Sequence, residues 1–168
     1  MDALEAIAVR RSVRKYTDTP VSRELLTKIV DAGRLAPTAH NDQPWEFVVV
    51  TDAARRRQLA DLADYGKFIA DAPACIIVIS KPTRYYLEDG SAATTNMLLA
   101  AAALGLGTCW VAGDKKQYAD QVVSLCGASD EYKLVSMISV GYPAKISSPK
   151  KRPIEEVLHW DNFRGVDR

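Results

Sequence analysis

The sequence predicts an α+β domain whose helices cover both faces of a sheet. The run Ala74–Ser80 is almost wholly apolar, the composition of a strand that turns no face to water. Residues 89–104 are small and apolar nearly all round, which fits a helix buried on most sides. Helical and strand-like stretches otherwise follow one another without a regular βαβ beat, which disfavours a doubly wound parallel sheet. No repeat, linker or low-complexity tract divides the chain, and its 168 residues suit one domain that buries roughly two-thirds of its unfolded surface.

Leu4, Ile7 and Ala8 recur at helical spacing and predict a short first helix ending near Arg10. Ser22 is a suitable N-cap for a second helix, with Glu24 near the positive end of its dipole. Leu25, Leu26, Ile29, Val30, Gly33 and Ala36 form the apolar stripe of that helix, and Pro37 stops it. Residues 45–51 are β-branched and aromatic, a strand signal. A charged helix is expected over 52–63 with Leu59 and Leu62 inward, then a shorter helical piece over 65–70. After the apolar strand and the long helix, Gly105 and Gly107 mark a stop. Thr108 to Val111 predicts a short strand, 115–125 a further helix and 134–140 a last central strand. A basic, proline-marked tail occupies 143–168.

Composition narrows the function classes. Hydrophobic residues at 48% and charged residues at 26% are globular values. Twenty-two basic residues against twenty-one acidic ones leave a net charge of +1, so no overall field favours nucleic acid. Glu5 and Arg10 interrupt the N-terminal apolar run, and no stretch approaches eighteen apolar residues, so neither a signal peptide nor a membrane span is expected. Cys75, Cys109 and Cys126 are odd in number and widely spaced, which argues for reduced thiols and a cytoplasmic setting. His40 and His159 are the only histidines and neither has a ligand-spaced partner, so no metal site is expected.

Four segments carry chemistry. Arg10-Arg11-Ser12-Val13-Arg14 places three guanidinium groups and a hydroxyl together, a donor set suited to a phosphate. On its own such a cluster is more often a solvated face. The triplet Lys150-Lys151-Arg152, stiffened by Pro149 and Pro153, offers further cations or simply a charged end. Between residues 36 and 45, Thr38, Asn41 and Gln43 present donors and acceptors on a loop held by Pro37 and Pro44, either to read the polar edge of a ring system or as an ordinary turn. Gly105-Leu106-Gly107 follows a helix, whereas the dinucleotide fingerprint must follow a strand, so a Rossmann site is excluded. The small residues Ala112 and Gly113 permit close approach of backbone to a ligand.

Taken in order, Arg10-Arg11-Ser12-x-Arg14, Ala36-Pro37-Thr38-Ala39-x-Asn41-x-Gln43-Pro44-Trp45, Gly105-Leu106-Gly107-Thr108-Cys109-Trp110 and a closing Lys150-x-Arg152 resemble the FMN-dependent nitroreductase family, in particular its short members. The resemblance runs from Asp2 to about Trp160. It implies a three-layer α+β fold with a central, mostly antiparallel sheet, built as an intertwined homodimer with FMN at the interface. It also implies one FMN-binding domain over 1–168, in which about 143–168 form a C-terminal extension packing on the partner subunit. By the same resemblance Arg10 and Ser12 are phosphate contacts, joined by Lys150 and Arg152, and Arg11 lies along the phosphate and ribityl chain. Arg14 matches the cation near the flavin pyrimidine. Pro37, Thr38, Ala39, Asn41 and Gln43 match the loop that reaches FMN from the opposite subunit, and Trp110, Val111, Ala112 and Gly113 the strand end beside flavin N5 and O4.

The resemblance further implies that NADH or NADPH reduces the flavin and that a nitroaromatic, quinone or similar small acceptor then takes the same place. Cofactor chemistry of this kind needs no side chain as general acid or base, so none is nominated; Arg14 gives electrostatic support. Related folds perform reductive dehalogenation or flavin breakdown, and a low-turnover flavin-binding protein is a further alternative. The chain departs from larger members in lacking a long insertion after the Ala74–Ser80 strand, which leaves residues 81–89, with Tyr85 and Tyr86, for any lid. His40 stands at a variable position, and Cys109 is expected in the core.

Overall fold

A computed structural model describes residues 1–163 of the chain. Four strands, β1 (Trp45–Val50), β2 (Ala74–Ser80), β3 (Gly107–Ala112) and β4 (Lys133–Gly141), form one sheet in the order β1-β2-β4-β3. Every neighbouring pair is antiparallel. Five helices surround it: α1 (Ala3–Val9), α2 (Arg23–Arg34), α3 (Ala53–Leu62), α4 (Tyr86–Ala103) and α5 (Ala119–Leu125).

The three layers follow from the alternation of strand side chains. Ile76 and Val78 of β2 and Ile138 and Val140 of β4 pack with Leu26 and Ile29 of α2 and Met97 of α4. Cys75, Ile77 and Ile79 of β2 and Met137 of β4 point the other way, onto Leu59 of α3, Ile69 and Val122 of α5. β2 is buried at every position, as its apolar run requires. A register shift between Val78 and Ile79 sets Ile79 opposite Leu134 and leaves Val135 over. The extra residue turns to the α4 side, where Gly90 leaves room for it: a Cβ there would stand 2.7 Å from Val135 Cγ2.

Local chemistry sets the helix ends. The Ser22 hydroxyl accepts from the Leu25 amide and Asp52 from the Arg55 amide, so Asp52 caps α3 rather than beginning it. Asp2 and Glu5 form a reciprocal capping box on α1. Two expected boundaries move. The long helix starts at Tyr86, one turn before Asp89, and α5 starts at Ala119 rather than Lys115. Lys115 has φ 60°, a left-handed turn that no helix continues through, and the Tyr118 hydroxyl donates to the Ala112 carbonyl across that turn. The piece expected over 65–70 narrows to a single 3-10 turn, Lys67–Ile69.

On α1 only Ala6 is buried, and Leu4 and Ile7 are exposed. The segment after Pro143 is largely exposed, with one 3-10 turn at Ile154–Glu156; the end of the expected extension, 164–168, lies outside the described residues. Among the described residues no helix is long and apolar enough to cross a membrane.

Candidate functional site

The edge strand β3 organises the site. The chain leaving α1 runs beside it: Ser12 bridges Thr108 in parallel, and the Val13 amide donates to the Thr108 carbonyl at 2.8 Å. Val13 is buried, so alternation turns its neighbours Ser12 and Arg14 outward. Since Thr108 aims its carbonyl away from β4, Trp110 and Ala112 likewise face away from β4, toward the open edge.

Two of the cavities along this edge share Arg14. The first, of about 410 Å³, is lined by Arg10, Arg11, Ser12 and Arg14 and, from the tail, by Ser147, Ser148, Pro149 and Lys151. No carboxylate lines it, and among the described residues none pairs with Arg10, Arg11, Arg14 or Lys151. Three guanidinium groups, an ammonium group and serine hydroxyls without a counter-anion make the kind of donor set that a phosphate requires. Arg11 also holds the frame: its Nη1 donates to the carbonyls of Ala8 at 2.6 Å and Arg10 at 2.8 Å, and its Nε donates to Ser148 Oγ at 3.2 Å. One side chain thus ties the end of α1 to the tail.

The second cavity, of about 420 Å³, is lined by aromatic side chains, with Arg14, Lys116 and Asp64 as its charged members. Tyr65, Phe68, Trp110 and Tyr118 supply the flat apolar surface, with Cys109, Val111 and Ala112 between them. The Arg14 guanidinium carbon stands 5.9 Å from the centre of the Phe68 ring, which steadies the cation at the junction of the two cavities. Burial raises the Cys109 thiol despite the opposing influence of Arg14 and Ser12, so it stays a protonated core group.

The expected site residues divide. Arg10, Arg11, Ser12 and Arg14 converge, and Trp110, Val111 and Ala112 adjoin them through the second cavity. Gly113 does not offer its amide to a ligand: that N–H donates to the Val135 carbonyl at 3.1 Å, and the missing Cβ makes room for Leu134. From the tail it is Lys151 that lines the cavity, whereas the exposed Lys150 and Arg152 do not. None of Pro37, Thr38, Ala39, Asn41 and Gln43 lines either cavity. Their loop feeds β1 at the opposite edge of the sheet, three strand spacings or about 14 Å away.

Sequence reasoning missed Ser147, Ser148, Asp64, Tyr65, Phe68, Lys116 and Tyr118. The first two stand just before the noted basic triplet. The others come from the turns before β2 and after β3, and no fixed spacing links those turns.

The profile of the nitroreductase family matches residues 7–66 and 64–142. The chain belongs to the nitroreductase family. A chain provisionally named NADH dehydrogenase/NAD(P)H nitroreductase from Methanothermobacter thermautotrophicus is 37% identical over 151 residues, 86% of this chain and 79% of its own length. The solved structure of an FMN-dependent nitroreductase from Clostridium difficile R20291 superposes with a TM-score of 0.88 at 30% identity, covering 95% of this chain and 99% of the other. The NADPH:FMN oxidoreductase of Vibrio harveyi complexed with NAD+ gives 0.85 at 26% identity, covering 98% and 79%.

Proposed function

We propose that the chain is an NAD(P)H-dependent FMN oxidoreductase that acts as a homodimer and reduces nitroaromatic, quinone or similar small acceptors in ping-pong order. The observation that carries this reading is the pair of cavities joined at Arg14, one cationic and free of carboxylates, the other aromatic. A phosphate-bearing flat ring system matches both halves at once, so these residues fit FMN. When bound, FMN supplies the hydride chemistry. Arg10, Ser12 and Lys151 hold the phosphate, with Lys150 and Arg152 close by in the tail, and Arg11 braces them along the phosphate and ribityl chain. Arg14 places a fixed positive charge where a reducible ring gains electron density, an electrostatic contribution that needs no proton transfer. Trp110, Val111 and Ala112 shape the ring end of the site.

Two features support the homodimer. The 37–43 loop and the arginine segment occupy opposite edges of one chain's sheet, so they combine in one site only across two copies. The tail also carries apolar surface a monomer would leave in water: Trp160 and Phe163 are 77% and 82% exposed, and Ile146, Ile154, Val157 and Leu158 along the same segment are exposed too. We assign residues 1–163 to one domain whose tail, from about 143, packs on the partner subunit.

The purified protein is expected to be yellow, to bleach on anaerobic addition of NADH or NADPH, and to regain its colour with a nitroaromatic. Bound flavin that neither nicotinamide reduces would overturn the activity, and a colourless monomer that gains no FMN on reconstitution would overturn the site. Arg10→Ala is expected to weaken FMN binding by roughly 1.5–3 kcal/mol, the worth of a hydrogen bond to a charged group, as read by equilibrium titration.

A further inference from the structure

The 37–43 loop folds against its own backbone preferences. His40, Asn41 and Gln43 have φ of 52°, 59° and 47°, in the left-handed region that residues with a Cβ disfavour. Such a conformation persists only where its surroundings impose it. Within the loop one bond is of ordinary length, from the Asp42 amide to the Ala39 carbonyl at 3.0 Å, and the others are long. The Thr38 carbonyl accepts from the Asn41 amide at 3.3 Å, Thr38 Oγ1 from the Gln43 amide at 3.3 Å, and the Asn41 carbonyl from Gln43 Nε2 at 3.4 Å. A side chain from beyond the loop also holds it: the Ala39 amide donates to Asp89 Oδ1 at 3.0 Å, across fifty residues of sequence.

Asp89 is an expensive residue to place there. It lies in the first turn of α4 and is 5% exposed, and its Oδ2 has no hydrogen-bond partner among the described residues. The N-terminal end of α4 offsets part of the cost of burying a carboxylate but satisfies no lone pair of Oδ2. A buried carboxylate whose one protein bond goes to a strained loop has that loop as its evident purpose.

We propose that Asp89 is a positioning residue for the site: through the Ala39 amide it imposes the shape of the 37–43 loop, and so the surface this loop presents to cofactor and acceptor on a second copy. The proposal rests on the homodimer reading above. It assigns to α4 a role beyond covering the sheet, since one residue of its first turn acts on the site through a loop at the far edge.

The test uses the FMN-loaded dimer, with 1,4-benzoquinone as acceptor. Asp89→Ala is expected to raise the acceptor KM about tenfold, the equivalent of one hydrogen bond to a charged group. In the same variant kcat stays within about twofold, and limited proteolysis gains a cut within 38–43, as expected of a released surface loop. Asp89→Asn keeps an acceptor oxygen at similar volume and should restore KM to within about threefold of the parent, a rescue expected because a neutral acceptor keeps part of the bond. If Asp89→Ala yields no dimer, Asp89→Ser, too short to reach Ala39, takes its place. An unchanged KM and cutting pattern in the truncated variant overturns the proposal. So does equal impairment of kcat and KM by Asn and Ala, which marks a packing role. Asn41→Ala separates this proposal from the reading beneath it. If Asn41→Ala raises KM and Asp89→Ala does not, the positioning role falls and the homodimer site stands; if neither raises KM, both fall.

Discussion

Replacing Ile77 with Ala is expected to cost about 2–5 kcal/mol of stability, the range for truncating a large aliphatic side chain in a packed core. For a domain of this size that lowers Tm by roughly 5–20 °C. Ile77 is fully buried at the middle of β2, opposite Val48 on one side and Met137 on the other. It packs in the cluster formed with Leu59, Ile69 and Val122, so elements on three sides already in mutual contact would have to move to fill the void. Val49 on the exposed edge strand provides the contrast: it is 40% exposed, and Val49→Ala should fall within about 0.5 kcal/mol of the parent. Denaturant unfolding at fixed protein concentration without added FMN measures both, because bound cofactor and self-association shift apparent stability. A loss below about 1 kcal/mol for Ile77→Ala would mean that the layer of α3 and α5 is not locked onto the sheet.

The same burial explains why so much of the fold was legible in the chain. A strand apolar at every position, such as Ala74–Ser80, and a helix as rich in alanine as α4 admit few placements other than the middle of a layered domain. Where the reading slipped, long-range partners had overridden local signals. Tyr86 joins α4 because its hydroxyl reaches Asp114 Oδ1 at 2.6 Å, a bond that pushes the phenol up to about 12 and keeps it a donor at neutral pH. Gly113 reads locally as a gap for a ligand, yet what fills the space is Leu134, placed there by the register shift in β4. In the site, the arginine segment was legible because guanidinium groups clustered in sequence stay clustered in space. The choice of Lys151 over its neighbours was not, since it depends on how an extended tail rotates beside Arg11 and Ser148. Of the aromatic lining only Trp110 was legible, since Tyr65, Phe68 and Tyr118 come from two turns about fifty residues apart.

Gly107→Val is expected to damage stability and cofactor binding together. A Cβ at Gly107 would stand 2.7, 2.8 and 2.9 Å from Val13 Cγ2, Cβ and Cγ1, closer than real side-chain contacts come. Val13 cannot swing aside, because a β-branched side chain has little χ1 freedom and this one is 3% exposed. The strain therefore passes to the Val13 backbone, which the 2.8 Å bond to Thr108 holds beside β3. Overpacking of this kind costs about 1–3 kcal/mol of stability, and a valine brings two methyl groups beyond the Cβ that already clashes. Any shift of Val13 carries Arg10, Ser12 and Arg14 with it, so the folded variant should also bind FMN at least tenfold more weakly, the loss expected when one charge-assisted hydrogen bond is displaced. Introducing Val13→Gly into the same chain removes all three clashing atoms, and contacting residues of this kind couple by about 0.5–3 kcal/mol. The double variant should accordingly recover part of the FMN affinity even though Val13→Gly alone lowers stability. Parental FMN affinity in a folded Gly107→Val variant would show that the arginine segment moves independently of β3, and the edge strand would then lose its proposed role as the ruler along which the two halves of the site are spaced.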